Sequence, residues 1–286
     1  MFYIPLLGAV LDAGGAIMYK TLANRQKVTF RDFLVYGFGS IVLVCLPLLY
    51  FFWSIDKIAG RNVNMALLAM VVTFSIFANY FTFFAFKHKD LSKIQTLRLT
   101  MPLFTILFAF ILSFFFEVYA NERNYYVLLF ALIASIALVV SNMNKNHLKF
   151  DKYSWSMLLG SFLFSIELIL SKPLVALYHP VTFYFIRSLF VFIIAFAVFR
   201  GNLSNLKPVG KGLFIISAMF WVGYRTLLYY GYNVFGVVFT TTVFIMSPVL
   251  IYLSSWMFFK EKITIRQVVS SMIIVVCIIG AIWVGQ

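Results

Sequence analysis

Apolar runs of about 20 residues alternate with short polar connections about ten times along this chain. A helix crossing a bilayer needs about 20 apolar residues. The pattern therefore predicts ten spans, at 3–20, 32–53, 64–86, 92–115, 124–142, 153–172, 181–199, 212–233, 237–259 and 265–284. The eighth and ninth are divided only by 234–236, and the connections leave no room for a separate soluble domain.

Two of the runs echo each other. Residues 86–117 and 232–261 are both long and apolar with a proline near the middle; at one constant offset Phe86 falls on Tyr232, Thr96 on Thr242 and Pro102 on Pro248. A proline inside a helix frees the carbonyl four residues earlier, here that of Arg98 and of Phe244. In a membrane such a group must be satisfied by protein or by a water-filled cavity. The pairs Gly8/Gly160, Lys20/Lys172, Leu67/Leu213 and Phe74/Phe220 keep a similar register. The polar stretch 142–152 separates the halves, giving one five-helix repeat over 1–142, a hinge loop at 143–152 and a second repeat over 153–286. Five spans per half is odd, so the second half inserts with opposite orientation. The expected fold is an all-α membrane protein of ten transmembrane helices, arranged as two inverted five-helix repeats around a central cavity. Paired interrupted helices in corresponding positions point to a transport site, with Pro102 and Pro248 as hinges.

Composition agrees with lipid as the solvent: 63% of the residues are hydrophobic and only 11% charged, with mean hydropathy +0.97. The net charge of +14 reads as topology rather than nucleic-acid binding, because the basic residues sort by face. One face collects the basic residues of the loops holding Arg25, Lys89, Lys149, Lys207 and Lys262; the other holds only Lys57, Arg61, Arg123 and Lys172, a bias of roughly four to one. That places the hinge loop in the cytoplasm and both termini outside, in a multi-pass protein of the plasma membrane. The N-terminal run lacks a basic leader and carries Asp12, so no cleaved signal peptide is expected. Cys45 and Cys277 lie in apolar runs as buried thiols, and His88, His147 and His179 have no metal-ligand spacing, so neither metal nor cofactor is expected.

Charges inside spans cost roughly 2.5–3.5 kcal/mol each on insertion scales and mark function. The candidates are Asp12, Arg98, Glu167, Arg187 and Arg225, with Asn79 and Gln95 as uncharged partners. Counting along each span puts Glu167, Arg187 and Arg225 at one level in the outer half, with Asp12 near mid-span and no cation at its depth. Asn79 and Arg98 fall at a matching inner level, where Arg98 is also close enough to the end to snorkel. Trp221, Arg225 and Tyr229 share one helix face, and Tyr224 adds an apolar wall. Lys20 and Lys172, at span ends, read as interface anchors. Three arginines outnumber two carboxylates, and guanidinium favours carboxylate or phosphate. The implied ligand carries an anionic group, as an amino acid or organic acid does. Glu167 with Arg187 or Arg225 also fits a structural ion pair.

The ten spans, the five-plus-five repeat, YFTFFAFKH at the end of the third span and SPVLIYLSSWMFFKEKIT in the ninth resemble the EamA-like transporters of the drug/metabolite transporter superfamily. Pro248, Glu261 and Lys262 match that family's pattern of a proline opening an apolar run that ends in glutamate and a basic residue. In the first half Pro102 and Glu117 match, but the glutamate lies two residues further on and Val118 replaces the basic residue. The resemblance implies termini inside, whereas the loop charges place them outside.

A secondary transporter working by alternating access on a small metabolite is the leading expectation. There is no phosphate-binding GxxxxGK[ST] loop, so protons, an exchange substrate or the ligand's own gradient supplies the energy. An exporter of cationic drug-like compounds using Asp12 and Glu167, and a non-transporting membrane subunit, are the alternatives. A membrane enzyme would want clustered carboxylates or histidines at the interface. Small residues such as Ala131 and Ser135 fit packing within a monomer or between two copies of a homodimer.

Overall fold

The computed structural model describes residues 3–25, 29–88, 97–142, 151–199, 208–259 and 264–284. Gln95, Glu261, Lys262 and the hinge residues 143–150 lie outside the described residues. The helices are α1 Tyr3–Arg25, α2 Phe30–Phe52, α3 Asn62–His88, α4 Met101–Ser113, α5 Tyr125–Asn142 and α6 Lys152–Val175. They continue as α7 Pro180–Phe199, α8 Pro208–Val234, α9 Val237–Phe244, α10 Met246–Phe259 and α11 Ile265–Val284. Among the described residues six helices are long and apolar enough to cross a membrane, seven if α4 is joined to the short 3-10 helix Glu117–Arg123, which bends away by 113°. That is fewer than the ten expected spans. Three further apolar stretches among the described residues are shorter, Tyr3–Gly15, Tyr125–Ser141 and Val237–Leu250.

The two prolines do not sit in helix interiors as the sequence suggested. Each lies in the first turn of a helix, Pro102 second in α4 and Pro248 third in α10. There the missing N–H is no loss, because first-turn amides have no intrahelical acceptor. Just ahead of each proline the chain tightens instead of opening: Thr100 has φ −76° and ψ −15°, and Ile245 has φ −60° and ψ −15°. Hydroxyls reach the carbonyls on either side of Arg98. Thr100 and Ser161 donate to the Leu97 oxygen at 2.6 and 3.4 Å, and Ser165 donates to the Met101 oxygen at 2.9 Å. Two serines of α6 thus hold the start of α4.

The helices pair in a regular scheme. α1 lies along α8 and α3 along α6; α2 packs on α7, and α5 on α11. Small residues set the close approaches. A Cβ on Gly160 would stand 2.5 Å from the Thr82 hydroxyl, and one on Gly8 would run into the Phe244 ring. Ala131 and Ser135 are fully buried, so this pair packs helices within the chain.

The second half is braced by a charge the sequence did not reveal. Lys172, expected as an interface anchor, is buried with its Nζ 2.6 Å from Oε1 of Glu122, itself 2% exposed. The Glu122 carboxylate also accepts the amides of Val237 at 2.6 Å and Val238 at 2.9 Å, capping α9. An anion there satisfies free donors and complements the helix dipole. Gly236 makes the arrangement possible, because its φ is +87° and a Cβ would come within 2.9 Å of Glu122 Oε1. Gly236→Ala should therefore cost at least about 1–2 kcal/mol of stability. Gly212→Ala, at a helical site with open space, should be neutral or stabilising. Thermal unfolding of the two variants checks this; equal midpoints would remove Gly236 from the argument.

Candidate functional site

Glu167 of α6, Arg187 of α7 and Arg225 of α8 meet in the interior, as counting along the spans predicted. Glu167 is fully buried, and the two arginines are 2% and 6% exposed. Arg187 Nε lies 2.9 Å from Glu167 Oε1 without its N–H aligned on that oxygen, and Arg225 Nη1 lies 3.4 Å from Oε2. The Tyr229 hydroxyl donates to Oε1 at 3.4 Å. Arg187 Nη2 donates to the Ser75 hydroxyl of α3 at 2.7 Å. The guanidinium of Arg187 also faces the Tyr184 ring at 5.7 Å, and that of Arg225 faces Tyr224 at 5.7 Å and Tyr229 at 6.0 Å. Aromatic faces stabilise cations that have left water. One carboxylate between two guanidinium groups leaves the cluster with a surplus positive charge.

Two small cavities lie in this interior, one of them lined by both arginines. The first, about 90 Å³, is lined by Asn79, Arg187, Trp221 and Arg225 together with apolar residues of α2. Asn79 donates to the Ser75 carbonyl of its own helix at 2.7 Å. The second, about 80 Å³, is lined by Asp12, Arg98, Tyr224 and Ser247 and reaches both Pro102 and Pro248. The Ser247 hydroxyl, in the first turn of α10, donates to Asp12 Oδ2 at 2.6 Å. Arg98 is half-buried in the same cavity, which corrects the expectation that Asp12 has no cation near its own depth. Trp221 and Tyr224 touch edge to face at 5.5 Å, so the two walls adjoin. Each cavity has room for about five to nine waters, at about 10–15 Å³ per water on this scale.

The nine sequence candidates thus divide. Glu167, Arg187 and Arg225 form the cluster, Asn79 and Trp221 line the first cavity with the two arginines, and Asp12, Arg98 and Tyr224 line the second. Gln95 is outside the described residues. Ser75, Tyr184 and Ser247 were not anticipated. Ser75 lies one helical turn before Asn79, a spacing that would have put it on the same face.

Removing the shared carboxylate would strand two buried cations. Breaking a buried pair in this way costs about 3–5 kcal/mol. Glu167→Ala should lower the unfolding midpoint far more than Ser75→Ala, which removes one neutral hydrogen bond; comparable midpoints would mean that Glu167 is not what neutralises the arginines.

Residues 151–284 match the sequence model of the EamA-like transporter family. A solved crystal structure of a protein with 14% sequence identity aligns over 98% of this chain and 96% of its own, with a TM-score of 0.70, a likeness of fold. No curated protein matches the chain. Residues 151–284 are thus similar to the EamA-like transporter family, and six of the described helices are long and apolar enough to cross a membrane, as a multi-pass membrane protein requires.

Proposed function

We propose that the protein is a secondary transporter that moves a small metabolite bearing an anionic group, an amino acid or an organic acid, by alternating access. The observation that carries this reading is the buried Glu167–Arg187–Arg225 cluster, with a net positive charge and both arginines lining a cavity. An incoming carboxylate would compete with Glu167 for Arg225, the more loosely held of the two arginines at 3.4 Å. Trp221 and Tyr224 supply the apolar walls. The two cavities are too small for such a ligand as they stand, so this is a compact state that must open.

The ten-span inverted repeat belongs to the same proposal. Matching α1 with α6 and α3 with α8 turns the α1–α8 contact into the α6–α3 contact, and both pairs pack closely. The tightened turns before Pro102 and Pro248 occupy corresponding places. Asp12 of α1 bonds the start of α10 much as Ser161 and Ser165 of α6 bond the start of α4. These correspondences support two halves that rock about the cavities.

Export of cationic compounds draws on Asp12, which faces the second cavity. Glu167 suits that role poorly, because both of its oxygens already face guanidinium groups. Thermal stabilisation of the purified protein by a panel of anions, zwitterions and cations separates the readings. A ligand that binds only the folded state, at about 100 times its dissociation constant, adds about 2.7 kcal/mol. Hits among anions or zwitterions that weaken in Arg225→Lys, where the bidentate fork is lost, are the expected result. Hits confined to cations, unchanged in that variant, would return the arginines to a structural role.

Orientation has its own test. With the termini outside, single cysteines placed at 143–150 in intact cells, in a chain lacking Cys45 and Cys277, resist a membrane-impermeant thiol reagent. Ready labelling would reverse the topology.

A further inference from the structure

A more spacious cavity lies outside the charged cluster. It is an open groove of about 750 Å³ on the flank of the molecule, with α6 as its floor and α3 and α4 as its walls. Its surface is almost wholly apolar and aromatic, with Phe84 from α3, Phe104 from α4, and Trp155, Leu159 and Phe162 from α6. Trp155 is 61% exposed, Leu159 41% and Phe162 37%. The groove is built into the packing. Gly160 lets α3 close on α6, and Ser161 and Ser165 tie the start of α4 to the same helix. At the inner end Phe162 meets Phe104 and Phe108 edge to face, at 5.7 and 5.4 Å.

The dimensions and charge of the groove identify an occupant. From Lys152 to Phe162 α6 rises about 15 Å at ~1.5 Å per residue. That is half of the ~30 Å hydrocarbon core, the depth of one leaflet. The mouth is marked by Lys152, an exposed residue that lines the groove with its ammonium 5.1 Å from the Tyr153 ring centre. Lys152 is the first residue of α6, where the helix dipole disfavours a cation. The neighbouring Asp151 carboxylate accepts hydrogen bonds from the amide and hydroxyl of Ser154, both at 3.0 Å, and so is engaged in capping the helix. A cation at the interface above a leaflet-deep apolar slot matches a lipid with a negative headgroup. We propose that this groove binds a glycerophospholipid carrying an anionic headgroup, with one acyl chain along Trp155, Leu159 and Phe162 and the headgroup at Lys152.

Trp155 provides the readout. The full-length protein is reconstituted in phosphatidylcholine, and acyl-brominated phosphatidylglycerol or acyl-brominated phosphatidylcholine is titrated in. Quenching of Trp155 is the difference between the wild-type chain and Trp155→Phe. Interfacial lysines favour anionic lipid by an amount equivalent to about fivefold in affinity. The expected result is that preference for phosphatidylglycerol in the wild type, falling to near parity in Lys152→Gln while quenching by phosphatidylcholine stays the same. Equal quenching by the two lipids in the wild type would reduce the groove to ordinary lipid-facing surface and overturn the proposal. A preference that survives in Lys152→Gln would overturn it too, as would the absence of any quenching that depends on Trp155.

Discussion

The carboxylate of Glu167 is the point on which the middle of this molecule depends. It stands between two guanidinium groups from different helices, and all three charges are removed from water. A lone arginine at that depth would be expelled or would draw water in after it. With Glu167 between them, Arg187 and Arg225 bind α6, α7 and α8 together, and the tyrosine faces around them take up part of the remaining field. Two guanidinium groups against one carboxylate leave a positive charge over, which an incoming anion would meet. The reading as a transport site rests on that property.

The same requirement, that polar groups in an apolar medium find partners in protein, organises the rest of the structure. Serines of α6 donate to the carbonyls at the start of α4, and Asp12 receives the hydroxyl at the start of α10. Glu122 meets both the first amides of α9 and the ammonium of Lys172. Each of these contacts sits at a helix terminus, where backbone groups lack intrahelical partners.

Much of this was legible residue by residue. Depth counting brought Glu167, Arg187 and Arg225 to one level because a helix rises by a constant amount per residue, and the three side chains meet. The prolines begin helices and do not interrupt them, contrary to the sequence expectation. Lys172 and Glu122 were misread or overlooked for one reason. Both lie at the margins of apolar runs, where a charge in water and a charge buried against a partner from a distant segment look alike. Arg98 and Asp12 raised the same difficulty, since their shared cavity joins residues 86 positions apart.

By itself the sequence determined the solvent and the helical class. Those follow from hydropathy and from the need for internally bonded backbone in lipid, which are properties of single segments. Tertiary structure decided which charges are paired, where helices tighten or end, and that the space around the cluster is divided in two. Those outcomes depend on distances between segments remote in the chain. Such distances are set by small contacts, a glycine at 160 or a serine at 165, whose consequences emerge only when the helices are packed together.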